Sequence, residues 1–123
     1  VFAIRIINNK RLGVMGEDLA VDILIKNGLI ILERNFRCRH GEIDIIAREG
    51  DMIVFIEVKT RKSDRFGVPE EAVDRRKQAK LRQLAAYYLN KNFYAFRCRF
   101  DVYSIYLDHN NQPEDIRVLR NCF

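Results

Sequence analysis

The sequence predicts a single α/β domain with a mixed central sheet flanked by two long helices. Three observations carry that prediction. The segments alternate helix, strands, helix, strands along the chain. The central strands are apolar on both faces. The stretch between two of them is long enough for a helical crossover. No internal repeat, low-complexity tract or linker divides the 123 residues, so the domain is expected to run over 1–123. Its core is expected at about 12–107, with loose ends at 1–10 and 120–123.

The first helix is expected over 12–27, ended by Gly28. Asp18, Asp22 and Lys26 make its polar stripe at i, i+4, i+8. Glu17 instead lies along the row of Ala20, Val21 and Leu24, so it needs a partner in the interior. Leu29–Asn35 reads as a strand. Glu42–Arg48 and Met52–Thr60 read as a hairpin around Glu49-Gly50-Asp51. Ile43, Ile45, Ile46 and Ile53–Ile56 make this hairpin apolar on both faces, the mark of a covered central sheet. A second helix follows from about Pro69 or Asp74 to Leu89, with Leu81, Leu84, Ala85 and Tyr88 facing the core. Arg97–Tyr106 is strongly β in composition. It is expected to lie parallel to Met52–Thr60, with a last strand at Ile116–Leu119.

With 48% hydrophobic and 32% charged residues, the composition is that of a globular protein and excludes an intrinsically disordered one. The net charge of +5 favours an acidic partner, although structural proteins can be equally basic. Cys38, Cys98 and Cys122 lack C-x-x-C spacing and read as reduced thiols of a cytoplasmic protein. Val1–Ile7 is apolar, but it is short and interrupted by Arg5, unlike a signal peptide. No apolar run approaches transmembrane length, so no membrane role is expected.

The chemistry concentrates on the hairpin. If it closes through a two-residue Gly50-Asp51 loop, Glu49 faces Met52, Asp44 falls opposite Glu57, and Glu42 falls opposite Lys59. Opposed Cβ atoms are then roughly 4.5–5.5 Å apart. A three-residue loop would instead put Asp44 opposite Ile56, on the other face. Two ionised carboxylates facing each other on apolar strands repel and are costly to bury unless a cation joins them. A hard divalent ion, Mg²⁺ or Mn²⁺, suits such oxygen ligands. The competing account is that the acids pair with Lys59 and nearby arginines. Under the first account Asp44, Glu57 and the Val58 carbonyl hold the ion, and Glu17 completes the shell. Lys59, two residues after Glu57 on the same face, orients water or stabilises developing charge. Phosphodiester hydrolysis needs this combination, because an anionic ester repels its nucleophile.

Asp44 followed by Glu57-Val58-Lys59 resembles the PD-(D/E)xK nuclease motif, with Ile43 in place of the proline. A longer set occurs in order: Gly16-Glu17, Arg34-Asn35, Gly41-Glu42-Ile43-Asp44, Glu57-Val58-Lys59-Thr60-Arg61, Phe66-Gly67, Lys77 and Arg99-Phe100-Asp101-Val102. This set resembles the YraN-like family of small bacterial proteins, which is similar in fold and motif to archaeal Holliday-junction resolvases. The resemblance implies a restriction-endonuclease-like fold, with Glu17, Asp44, Glu57 and Lys59 matching the resolvase active-site positions.

Arg61, Lys62 and Arg65 follow the catalytic strand, and Arg75, Arg76, Lys77 and Lys80 open the second helix. All seven are candidate phosphate contacts; a solvated helix face is the alternative for the second group. Tyr87, Tyr88, Tyr103 and Phe100 read as core rather than stacking platforms. Asp101 reads as a structural salt-bridge partner or a hold on the first helix, not as catalytic, and His40 as a loop histidine beside a turn glycine. The expected function is metal-dependent cleavage of DNA, with branched or structured DNA in view. The alternative is a nucleic-acid-binding accessory protein with little turnover. A targeting partner and a homodimer fit either expectation.

Overall fold

The computed structural model describes residues 2–62, 74–92 and 97–121, with side chains in the first helix from Lys10 onward. Arg65, Phe66-Gly67, Pro69 and Cys122 lie outside the described residues. The element order is α1 (Phe2–Lys26), β1 (Ile30–Cys38), β2 (Gly41–Glu49), β3 (Met52–Lys62), α2 (Arg75–Lys91), β4 (Cys98–Leu107) and β5 (Pro113–Leu119). The strands form one five-stranded sheet in chain order. β3 and β4 run parallel, and the other neighbours are antiparallel. The parallel pair is the one expected from the crossover.

Local chemistry sets the ends of these elements. α1 begins at Phe2, earlier than its amphipathic stretch suggests, because nothing upstream of Leu12 breaks a helix. It stops where Gly28 turns left-handed at φ 88°, with Leu29 N–H donating to the Leu24 carbonyl. Asp74 caps α2 by accepting from Lys77 N–H at 2.8 Å. Gly50 supplies the positive φ of the β2–β3 turn, and Glu49 faces Met52, as a two-residue loop requires.

α1 and α2 cover opposite faces of the sheet. On the α1 face, Ala20 and Leu24 pack with Ile45, Ala47, Val54, Ile56, Tyr103 and Ile105. On the α2 face, Leu81, Leu84, Ala85 and Tyr88 pack with Phe36, Ile43, Ile46, Ile53, Phe55 and Phe100. Each fully buried Ile or Phe contributes about 1.5–3 kcal/mol, so the turn end of β2–β3 is the strongly held part of the sheet. The arrangement is consistent with a restriction-endonuclease-like fold.

The β1–β2 register shifts between Ile31 and Glu33, and a second irregularity interrupts the alternation of faces further along. In a regular strand Arg34 and Phe36 would share a face. Here Arg34 meets Asp18 of α1, whereas Phe36 packs edge-on to Tyr88 of α2. Between them Asn35 adopts φ 53°, a left-handed conformation that asparagine tolerates better than most residues. β2 turns over at the matching place: Ile45 lies in the α1-side core and Ile43 in the α2-side core. The β1–β2 ladder pairs Arg34 with Ile45 and Phe36 with Ile43, and passes over Asn35 and Asp44.

Candidate functional site

Asp44 sits at that turnover. The β2–β3 ladder runs from Glu49–Met52 to Ile45–Ile56 and ends there. Asp44 and Glu57 would be the next pair in register. In place of a ladder bond, Val58 N–H donates to Asp44 Oδ2 at 2.8 Å. The strands then part. The ladder does not reach Glu42 and Lys59, and Glu42 pairs with Arg37 of β1 at 2.8 Å. The sequence-based register is therefore correct up to the acids and lost beyond them, because β2 twists toward β1 at Asp44.

The open end gathers the acids. α1 approaches β3 so closely at Gly16 that an added Cβ would lie 1.8 Å from Thr60 Oγ1. Only glycine permits this contact, and it sets Glu17 beside Arg34 and Asn35 of β1. Glu17 is 17% exposed, lies 3.9 Å from Arg34 Nη2, and has the Asn35 side chain near enough to favour its charged form. Arg34 bonds Asp18 more tightly, at 2.7 Å. Glu57 is 18% exposed and meets Lys77 Nζ of α2 at 3.6 Å.

Electrostatics single out these acids. Burial pushes the Glu57 carboxyl up to about 7, and the Asp44 charge adds to the rise. Lys77 and Lys59 pull it the other way. Asp44 is also raised, by burial first and by Glu42 next, against the Val58 amide and Lys77. Glu17 is raised by burial and then by Asp44, against Arg34 and Asn35. The charges of Glu17, Asp44 and Glu57 thus act on one another in a chain, with Asp44 in the middle. Perturbed carboxyls clustered in one place are a mark of functional sites.

Among the described residues, no three Asp, Glu, His or Cys side chains form a ready-made metal cage. The arrangement fits a hard cation that uses two carboxylates and takes its remaining ligands from water or substrate, as Mg²⁺ commonly does. Asp44 and Glu57 are the two carboxylates that could serve such an ion.

The basic residues divide. Lys77 belongs to the acid cluster. Lys62 is tied to the β4–β5 turn, bonding the Asp108 carbonyl at 3.2 Å and Asn111 Oδ1. Arg61 is half-buried at the end of β3, and Arg75, Arg76 and Lys80 are exposed on α2. Asp101 is buried and accepts from Arg99 Nε at 3.1 Å and from Asn121 N–H at 2.9 Å, a structural role. Tyr88, Tyr103 and Phe100 are core. Tyr87 is partly exposed, with His40 against its ring. Asn35 belongs to the motif set, but sequence reasoning gives it no role. Its signal was an asparagine inside a strand, between residues that had to reach opposite faces.

Comparison with known proteins gives the affiliation. The profile of the uncharacterised protein family UPF0102 matches residues 16–105. The chain belongs to this family. A UPF0102 protein of Moorella thermoacetica is 50% identical over 115 residues, spanning 93% of this chain and 96% of that one. One of Caldicellulosiruptor bescii is 49% identical over 120 residues, spanning 94% and 99%. One of Dictyoglomus thermophilum is 47% identical over 117 residues, spanning 94% and 99%. The YraN-like family expected from the motifs is thereby reached, and the matched segment contains Glu17, Asp44, Glu57 and Lys59. Among the described residues, no helix is long and apolar enough to cross a membrane.

Proposed function

We propose that this protein is a metal-dependent endonuclease of the PD-(D/E)xK kind that hydrolyses DNA phosphodiesters, with branched or structured DNA as its substrate. The observation that carries the reading is the placement of Asp44 and Glu57 where the β2–β3 ladder ends, with Lys59 one step further along the same strand face. Two coupled, largely buried carboxylates cost stability, and hydrogen bonding inside the protein only partly satisfies them. A hydrolytic site gives that cost a purpose.

Asp44, Glu57 and the Val58 carbonyl would hold Mg²⁺ or Mn²⁺, with Glu17 completing or orienting the shell. Once bound, the ion supplies Lewis-acid polarisation of a phosphoryl oxygen and a more acidic water. The remaining work falls to the chain. The Val58 amide fixes Asp44, and Asn35 and Arg34 hold Glu17 toward the same point. Lys59 positions the attacking water or stabilises the charge that develops on the phosphoryl oxygens. Arg75, Arg76 and Lys80 on α2, with Arg61 at the end of β3, give the phosphate backbone cations to follow. The net positive charge favours the encounter.

A second reading is a nucleic-acid-binding accessory protein with little turnover, acting with a partner protein or as a homodimer. The absence of a ready-made three-ligand cage among the described residues favours it.

The deciding experiment presents linear, nicked, flapped and four-way DNA with Mg²⁺ or Mn²⁺ to the wild type and to Lys59→Ala. The proposal expects divalent-dependent cleavage by the wild type and a loss of roughly 10²-fold or more in Lys59→Ala, with DNA binding retained. Cleavage that survives Lys59→Ala would place the chemistry elsewhere. Tight binding with no cleavage of any substrate would select the accessory reading.

A further inference from the structure

Lys77 is the part of the acid cluster that the hydrolytic scheme does not use. Its place is built rather than incidental. Asp74 caps α2 through the Lys77 amide, which fixes the backbone from which the side chain leaves. Leu81 and Leu84, four and seven residues on, are buried against the sheet, so Lys77 continues the same stripe at the open end of the strands. There its ammonium meets Glu57 Oε1 at 3.6 Å, and its charge also reaches Asp44. Lys77 therefore bridges helix and sheet at Glu57, close enough for its charge to act on Asp44 as well. It is 49% exposed against 18% for Glu57, so the lysine has room to leave and the carboxylate does not.

We infer that Lys77 is an internal counter-cation, paired with Glu57 in the free protein and displaced when a divalent ion takes up Glu57 and Asp44. The inference rests on the metal-site reading and deepens it. The pair is loose, at 3.6 Å, and the half-exposed ammonium can return to water when it breaks. Displacement nevertheless weakens metal binding, because the ion must enter beside a positive charge that holds one of its ligands. A substrate phosphate changes the balance. It offers the ammonium another partner and the ion another oxygen. Lys77 would in this way make metal loading depend on substrate, and keep the acids compensated until substrate arrives.

The test is Mn²⁺ affinity without DNA, measured by calorimetry on the full chain, for wild type, Lys77→Met, Lys77→Arg and Asp44→Asn. Far-UV circular dichroism checks that each variant is folded, and Lys77→Gln stands in if Lys77→Met is not. Removing the competing charge should tighten Mn²⁺ binding by roughly tenfold in Lys77→Met. Lys77→Arg keeps the charge and should stay near wild type. A lysine that merely braces α2 would give unchanged or weaker binding on removal, and either result overturns the inference. The metal-site reading fails separately. Mn²⁺ binding that survives Asp44→Asn, or no binding by wild type and Lys77→Met alike, overturns that reading and the inference with it. Binding lost in Asp44→Asn but unchanged in Lys77→Met overturns the displacement alone.

Discussion

Asp101 and Glu57 are acids on neighbouring parallel strands, and the protein treats them in opposite ways. Asp101 has no exposed side-chain surface, and it is matched on each side. Arg99 grips it at 3.1 and 3.2 Å, Asn121 N–H donates at 2.9 Å, and Arg99 also reaches Glu49 at 3.0 Å. Glu57 keeps some exposure, lies beside a second carboxylate, and meets Lys77 at the looser distance of 3.6 Å. One acid is compensated by a closely fitted arginine, the other is left under strain. Burial alone does not mark a site. Burial with incomplete compensation is the better pointer to one, because active sites are where such shifted groups cluster.

Breaking the well-compensated acid should have the largest effect on stability. Asp101→Asn leaves Arg99 only 15% exposed and short of its main partner. It should cost about 3 kcal/mol in urea unfolding, with no change in the slope against denaturant. A cost under about 0.5 kcal/mol would remove the structural half of the comparison.

Gly16→Ala sharpens the other half. Helix propensity alone predicts a gain of about 1 kcal/mol, since glycine is a poor helix former. The contact with Thr60 should win, because the new Cβ would lie 1.8 Å from Oγ1 and 2.9 Å from Thr60 Cβ, and a β-branched side chain yields little. A net loss of about 2 kcal/mol is expected, partly recovered in Gly16→Ala with Thr60→Ala. A stabilised single variant would show that α1 is not held at this point. Glu17 would then have no fixed approach to Asp44.

The strands, the parallel pair and the core face of α2 were legible in the sequence because each rests on a local pattern. Leu81, Leu84, Ala85 and Tyr88 are the buried residues of α2, as their spacing requires. Gly50 and Asp51 set the hairpin register, and so the approach of Asp44 to Glu57. Beyond that point local rules run out. The assumption that faces alternate placed Glu42 opposite Lys59, whereas the left-handed Asn35 turns β1 and β2 over together and sends Glu42 to Arg37. Lys62 looked like a phosphate contact because of its sequence neighbours, yet it bonds a turn forty-six residues away. Lys77 stood out as a motif residue in line with Leu81 and Leu84, yet only the packing of that helix brings it to Glu57. Side-chain identity was readable at every one of these places. The partner was not, because it depends on tertiary approach rather than on period.

The central claim is that the Asp44–Glu57 pair is kept at the expense of stability. Its most direct test is the unfolding free energy of Glu57→Gln against wild type as a function of pH. Glu57 is raised from 4.5 to about 7 in the fold, so between those values the folded protein binds more protons at this site than the unfolded chain. Wild-type stability attributable to this group is therefore greatest below about 4.5 and falls as pH rises through about 7. Glu57→Gln lacks that fall. It should be about 1–2 kcal/mol more stable than wild type at pH 8, with the advantage shrinking to nothing near pH 4. A Glu57→Gln protein that is less stable than wild type at pH 8, as Asp101→Asn should be, would contradict the account. It would make both acids parts of the same structural scaffold.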